Sequence, residues 1–164
     1  MLHIAPELCF IDRFEALPNL DYITADIESP LAKVKMDIHD IPFEDNSFDI
    51  IFCNHVLEHV RDDLQAMREM HRVLKPGGWA ILQIPFFHPI PDETLEDPSI
   101  SHPKMREKVF GQDDHVRLYG HDYSQRLASA GFQVVEDRLV FELEKDLVKR
   151  WALPPTEVIY RVQK

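Results

Sequence analysis

Phe48-Asp49-Ile50-Ile51-Phe52-Cys53, a polar break, the span Leu64 to Leu74, Pro76-Gly77-Gly78, and then Trp79-Ala80-Ile81-Leu82-Gln83-Ile84 read as strand, helix, stop, strand. The two outer segments are nearly continuous apolar sequence. Strands read that way when helices cover both faces of a parallel sheet. Between them, Leu64, Met67, Met70 or His71, and Leu74 form an apolar stripe at helical spacing. Asp62 and Asp63 place carboxylates in the first turn, where the helix dipole favours them. Lys75 lies near the end, and Pro76-Gly77-Gly78 is expected to stop the helix.

The pattern continues outward in both directions. Met1 to Ala5 reads as the end of a buried strand, and Leu8, Phe10, Ile11, Phe14 and Leu17 as a loosely helical segment closed by Pro18. Asp21 to Asp26 is a second strand ending in an acid, and Val34 to Ile38 a third. Ile41 to Ser47 is turn-rich. Residues 86–118 read mostly as loop, long for a connector in a compact domain, which marks them as a lid or binding region. Asp122 and Gln125 suggest a capping box before a helix that ends at Gly131. Phe132 to Val135 and Val158 to Val162 are strands, whereas Phe141 to Trp151 has no clear assignment. Strands alternating with helices predict one α/β domain over residues 1–164, with a Rossmann-like doubly wound, mostly parallel sheet. Ligands of such sheets bind beyond the carboxyl ends of the strands.

Composition narrows the function. Lys and Arg total 18 against 29 Asp and Glu, a formal net charge of -11. An unassisted grip on long nucleic acid is therefore not expected, and a small or cationic ligand suits the balance better. No apolar run approaches a membrane span, and no secretory signal is visible. Cys9 and Cys53 show neither metal-ligand spacing nor a disulfide framework, so a reducing cytoplasm is the expected setting.

Two acids stand where a nucleoside cofactor needs them. Asp26 follows Ala5 by 21 residues, close to the usual offset of about 20 for an acid that takes both ribose hydroxyls. Asp37, with Asp40 behind it, follows the third strand and can accept from an adenine amino group, with backbone groups of Ile38 beside it. The structural alternative is that these acids merely cap their turns.

The run from Asp37 through Asp49, then Asn54-His55-Val56-Leu57-Glu58-His59-Val60, then Glu69 to Gly78, and the tail Arg126 to Phe132 resemble the class I S-adenosylmethionine-dependent methyltransferase family, of the type 11 kind. The resemblance spans nearly the whole chain and is most characteristic from Pro42 to Gly78. It implies S-adenosylmethionine as cofactor, Asp26 as ribose ligand, Asp37 and Ile38 on the adenine side, Asn54 and His55 along the methionine half, and an antiparallel strand near the C-terminus.

The first loop departs from the family pattern of an acid followed by Gly-x-Gly-x-Gly. His3 stands at the acidic position, and Ala5, Glu7 and Cys9 at the glycines, with Pro6 stiffening the turn. An uncharacterised branch of the family resembles this Leu-His-x-Ala-Pro-Glu start. His3, Ala5 and Glu7 are therefore expected at the cofactor, with the Glu7 carboxylate meeting its ammonium or sulfonium group. Family members also carry helices before the first strand. Here a flank is expected to lie uncovered, open to a second copy of the chain.

Residues 86–119 hold the substrate candidates: Phe87 and His88 after the fifth strand, and then Asp114-His115-Val116-Arg117-Leu118-Tyr119. His115 has the chemistry of a general base, Arg117 that of a carboxylate or phosphate clamp, and Tyr119 that of a donor. The alternative is an internal network of His115, Arg117 and Asp114 that fixes the loop. The spacing of His88, His102, His115 and His121 matches no compact zinc pattern, so no metal is expected. The expected activity is methyl transfer to a small acceptor. The rivals are a non-catalytic binding relative and a nicotinamide-dependent oxidoreductase, the latter lacking its Gly-rich pyrophosphate loop.

Overall fold

A computed structural model describes residues 1–164. The elements follow in order: β1 (Leu2–Ile4), α1 (Leu8–Glu15), β2 (Ile23–Asp26), β3 (Val34–Lys35), β4 (Phe48–Asn54), α2 (Asp63–Val73), β5 (Leu74–Gln83), β6 (Leu95–Glu96), α3 (Pro103–Phe110), β7 (Arg117–Leu118), α4 (Tyr123–Ser129), β8 (Gln133–Asp137), α5 (Leu139–Glu142), α6 (Lys145–Arg150) and β9 (Ile159–Gln163). Seven strands form one sheet in the order β3-β2-β1-β4-β5-β9-β8, and β6 and β7 form a separate antiparallel pair. Strands β1 to β5 pair in parallel; β9 runs antiparallel to both β5 and β8. This is the mostly parallel, doubly wound α/β sheet with one reversed strand that the sequence predicts. No helix is long and apolar enough to cross a membrane.

Strand alternation explains the two faces. Leu2 and Ile4 of β1 pair with Ile51 and Cys53 of β4, and these join Ala80 and Leu82 of β5 and Tyr160 and Val162 of β9 in one buried layer. Met67, Met70 and Val73 from α2, with Tyr123 and Leu127 from α4, close that layer. The opposite register, with Phe52, Trp79, Ile81, Ile159 and Arg161, lines an open cavity of about 540 Å³. Over β1 and β4 this face is covered by α1, whose Phe10 and Phe14 pack on Phe52 and His3.

Three expectations are corrected in detail. Helix α2 stops at Val73, because Leu74 turns extended and pairs with Phe48 in the sheet. Pro76-Gly77-Gly78 therefore forms an irregular stretch inside β5, where a Cβ on Gly78 would sit 2.9 Å from the Asp49 carbonyl. Asp122 does not cap α4, since its carboxylate accepts instead from the Thr94 amide (2.8 Å) and hydroxyl (2.6 Å). Residues 103–110, expected as loop, form α3, with Pro103 in its first turn and Gly111 in the left-handed conformation at its end. The stretch from Phe141 to Trp151, without a clear assignment from sequence, is mostly helical, covered by the end of α5 and by α6.

Candidate functional site

Strand order reverses between β1 and β4, which creates a crevice at their carboxyl ends. A cavity of about 290 Å³ lies there, lined by Ala5, Asp26, Asp37, Ile38 and His39 together with Val56, His59 and Val60. Four of the expected cofactor residues thus come together. Asp26 ends β2, and its Oδ1 accepts from the amides of Glu28 and Ser29, both at 2.7 Å. Those bonds fix the carboxylate through Oδ1, and Oδ2 takes no hydrogen bond from the chain. Asp37 accepts from the His39 amide (2.9 Å) and ring (2.6 Å). The amide bond above all, helped by the ring, holds its carboxyl below the usual range despite partial burial.

Ala5 carries φ +49°. The left-handed conformation costs a non-glycine residue about 1 kcal/mol or more. The chain therefore makes a turn of the kind that glycine would allow, at the point where the sequence lacks glycine. His55, at the end of β4, is also left-handed at φ +54°. Strain of this kind concentrates where backbone must approach a ligand.

His3 and Glu7 lie apart from this cavity. His3 is fully buried among Phe10, Phe14, Tyr22 and Phe52. Its Nε2 meets the Glu7 carboxylate, and its Nδ1 lies 2.6 Å from the Tyr22 hydroxyl. The other Glu7 oxygen accepts from Asn54 Nδ2 at 2.9 Å. The Glu7 carboxylate is thus committed to linking β1 to the end of β4, and Asn54 to closing that link. Burial lowers the His3 pKa against the pull of Glu7, and the same surroundings push the Tyr22 hydroxyl up to about 12. A neutral ring that donates to Glu7 from Nε2 and accepts from Tyr22 at Nδ1 satisfies both partners. A histidine with a depressed folded pKa stabilises the fold above its ordinary value near 6.5, and that contribution is lost as pH falls through the folded value. Urea midpoints should therefore fall between pH 7.5 and 5.5, and by less in His3→Asn. Equal losses in both proteins would show that His3 does not drive the effect.

A larger cavity of about 710 Å³ opens beyond β5, lined by His55, Phe86, Phe87, His88, His121, Glu136, Arg138, Glu157 and Tyr160 among others. The expected substrate residues Phe87 and His88 lie on it, and His55 joins it to the end of β4. The Glu58 carboxylate, 3.5 Å from His55 Nδ1, raises the His55 pKa against partial burial. His115, Arg117 and Tyr119 line neither cavity. The Arg117 guanidinium donates to the carbonyls of Leu57, Val60 (2.7 Å) and Arg61 (3.1 Å), and to Glu96 Oε1 (2.7 Å). The Tyr119 hydroxyl donates to Asp63 Oδ2 at 2.8 Å. His115 is 1% exposed, between Phe87 and His59. These three residues brace the 86–119 region against the loop that follows β4. Glu58, which no local sequence pattern marks as a site residue, is buried beside His59 and His115, and its carbonyl accepts from the Val116 amide.

Comparison with known proteins agrees with this architecture. A family model described as a methyltransferase domain matches residues 12–82. A demethylmenaquinone methyltransferase of Staphylococcus epidermidis is 47% identical over 58 residues, which amount to 35% of this chain and 24% of that protein. The match thus spans about a quarter of that relative. An S-adenosylmethionine-dependent methyltransferase from Mesorhizobium loti superposes over 99% of this chain and 89% of its own, with a TM-score of 0.61 at 13% identity. The [4+2]-cyclase SpnF superposes over 99% of this chain and 72% of its own, with a TM-score of 0.60 at 14% identity. Sheet order, reversed strand, crevice position and these likenesses together give the chain a class I S-adenosylmethionine-dependent methyltransferase-like fold.

Proposed function

We propose that this chain binds S-adenosylmethionine and transfers its methyl group to a small-molecule acceptor. The observation that carries the reading is the cavity that gathers Ala5, Asp26, Asp37 and Ile38 at the carboxyl ends of β1 and β2 and just past β3. In this reading Asp26, anchored through Oδ1, presents Oδ2 to the ribose hydroxyls, and Asp37 faces the adenine side. The left-handed turn at Ala5 supports reading the first loop as a variant design of the glycine-rich one. Bound there, the cofactor supplies an electrophilic methyl on a sulfonium. The chain's contribution is alignment and exclusion of water, and the departing thioether needs no acid. Phe86, Phe87 and His88, on the larger cavity beside His55, form the acceptor side.

One observation favours a second reading, a binding protein without methyl transfer. Glu7 and Asn54, expected along the methionine half, already bond to each other. Calorimetric titration with S-adenosylhomocysteine separates the two. The first reading expects saturable micromolar binding. Asp26→Asn should weaken it by roughly 30-fold, about 2 kcal/mol, for hydrogen bonds made to a charged group. The Asn side chain retains an acceptor for the Glu28–Ser29 turn, so the loss reports on the ligand. A folded chain that does not bind would move the second reading ahead.

A further inference from the structure

We propose that Glu58, His59 and His115 form a binding site for one divalent transition-metal ion of the zinc type. No local spacing marks such a site, because Glu58-His59 follow β4 while His115 arrives from the far end of the 86–119 region. Their candidate ligand atoms lie within 4.8 Å of one another.

The hydrogen bonds around them prepare the right lone pairs. His115 Nδ1 lies 3.1 Å from the Phe110 carbonyl, which can only accept. That ring therefore carries its proton on Nδ1 and leaves Nε2 as a bare donor of electrons. His115 Nε2 is buried and has no partner. His59 repeats the arrangement: its Nδ1 lies 3.2 Å from Asp114 Oδ2, and its Nε2 faces Glu58 Oε1 at 3.8 Å. Metal-ligating histidines are oriented in this way, by a carbonyl or carboxylate on the second nitrogen. Glu58 supplies the charge. It is 2% exposed, and its Oε2 is also buried without a partner. A buried carboxylate oxygen and a buried imidazole nitrogen, both orphaned in one cluster, are costly unless something pairs with them. A cation between them satisfies both.

Two imidazoles and one carboxylate are a donor set that zinc and its first-row neighbours accept. Bonds of about 2.1 Å would draw the three side chains closer by about 1 Å. His59 is partly exposed and lines the smaller cavity, which gives the ion a route inward. Three protein ligands leave a coordination position for water or an acceptor group.

The test uses the whole chain, stripped with chelator and titrated with zinc chloride at pH 7.5, with cobalt(II) absorption as a spectroscopic probe. It needs no cofactor, so it stands or fails separately from the methyl-transfer reading. The expected result is one ion per chain with micromolar or tighter affinity and intense visible cobalt bands. His59→Ala, at a partly exposed ring, should weaken binding at least 10-fold with an unchanged far-UV spectrum. Glu58→Gln should do the same and abolish the rise in Tm that zinc gives the wild type. His121→Ala, on the larger cavity, should change nothing. Failure of the folded wild type to bind, or equal binding by His59→Ala, would overturn the proposal.

Discussion

Asp63→Asn should destabilise the chain by about 3–5 kcal/mol, the usual effect of removing one partner from a buried ion pair. Asp63 opens α2, but its side chain turns inward and is 2% exposed. Its Oδ1 accepts from Arg126 Nη2 at 2.7 Å, and its Oδ2 from Arg126 Nε at 3.1 Å and the Tyr119 hydroxyl at 2.8 Å. Arg117 Nε stands 3.8 Å away. Burial alone would raise the Asp63 pKa, but the bonds from Arg126, with the charges of Arg117 and Arg126, hold it below the ordinary value. An Asn of the same shape keeps the space filled and leaves two guanidinium groups short of one negative charge. Glu96 also meets both arginines, at 2.7 and 2.8 Å, but is more than a third exposed, so Glu96→Gln should cost only about 1 kcal/mol or less. Urea unfolding followed by circular dichroism measures both. In a domain of this size the first loss corresponds to a fall in Tm of roughly 10 °C. A cost for Asp63→Asn no larger than that for Glu96→Gln would mean that the carbonyls around Arg117 already compensate its charge.

Gly120→Ala is the second large effect, at about 3 kcal/mol. A Cβ there would lie 2.5 Å from the Glu93 carbonyl carbon, 2.7 Å from the Thr94 nitrogen and 2.8 Å from the Glu93 oxygen. All three atoms are backbone, so no rotamer relieves the overlap and the two segments must part. They are joined here by the bonds of Thr94 to Asp122 and Gly120 and of His121 to the Pro91 carbonyl. Hydrogen exchange should show the amides of Thr94, Gly120 and His121 losing protection. Gly77 is the control: a Cβ meets nothing there, and only its φ of +78° resists substitution, so Gly77→Ala should cost about 1 kcal/mol. If both variants lost the same stability, the close approach at Gly120 would not be the controlling feature.

The sheet was legible in the sequence wherever apolar runs were long. Segments 48–53 and 79–83 are parallel strands whose alternate residues build the core, and their apolar composition marked them as strands, although it suggested cover on both faces where one face opens on a cavity. The acids at strand ends were legible for a related reason: a parallel sheet delivers them all to one edge, and Asp26 and Asp37 do share a cavity. Residues 86–119 were harder, because the polar residues there do not face solvent. His115, Arg117 and Tyr119 alternate with period two and are all buried, the mark of the inner side of an extended segment, yet their polarity suggested a binding surface. Helix α3 was signalled by Pro103 and Gly111 at its two ends, but its apolar stripe is too weak to stand out. Glu7 was expected to meet a ligand. The pairing of β1 with β4 brings Asn54 within reach of it, and no local pattern could reveal that contact.

Arg117 joins two walls that the chain builds far apart. From the 86–119 region it grips three carbonyls of one short loop, those of Leu57, Val60 and Arg61, and so ties a wall of the smaller cavity, at Val60, to the region that carries Phe87 and His88 on the larger. The remaining side of the larger cavity, from Glu136 and Arg138 to Pro154 and Val158, belongs to a stretch whose short helices contain no buried residue. The two walls of the larger cavity therefore differ in how firmly the core holds them: one is tied through Arg117 to the loop after β4, and the other leads into helices that bury nothing.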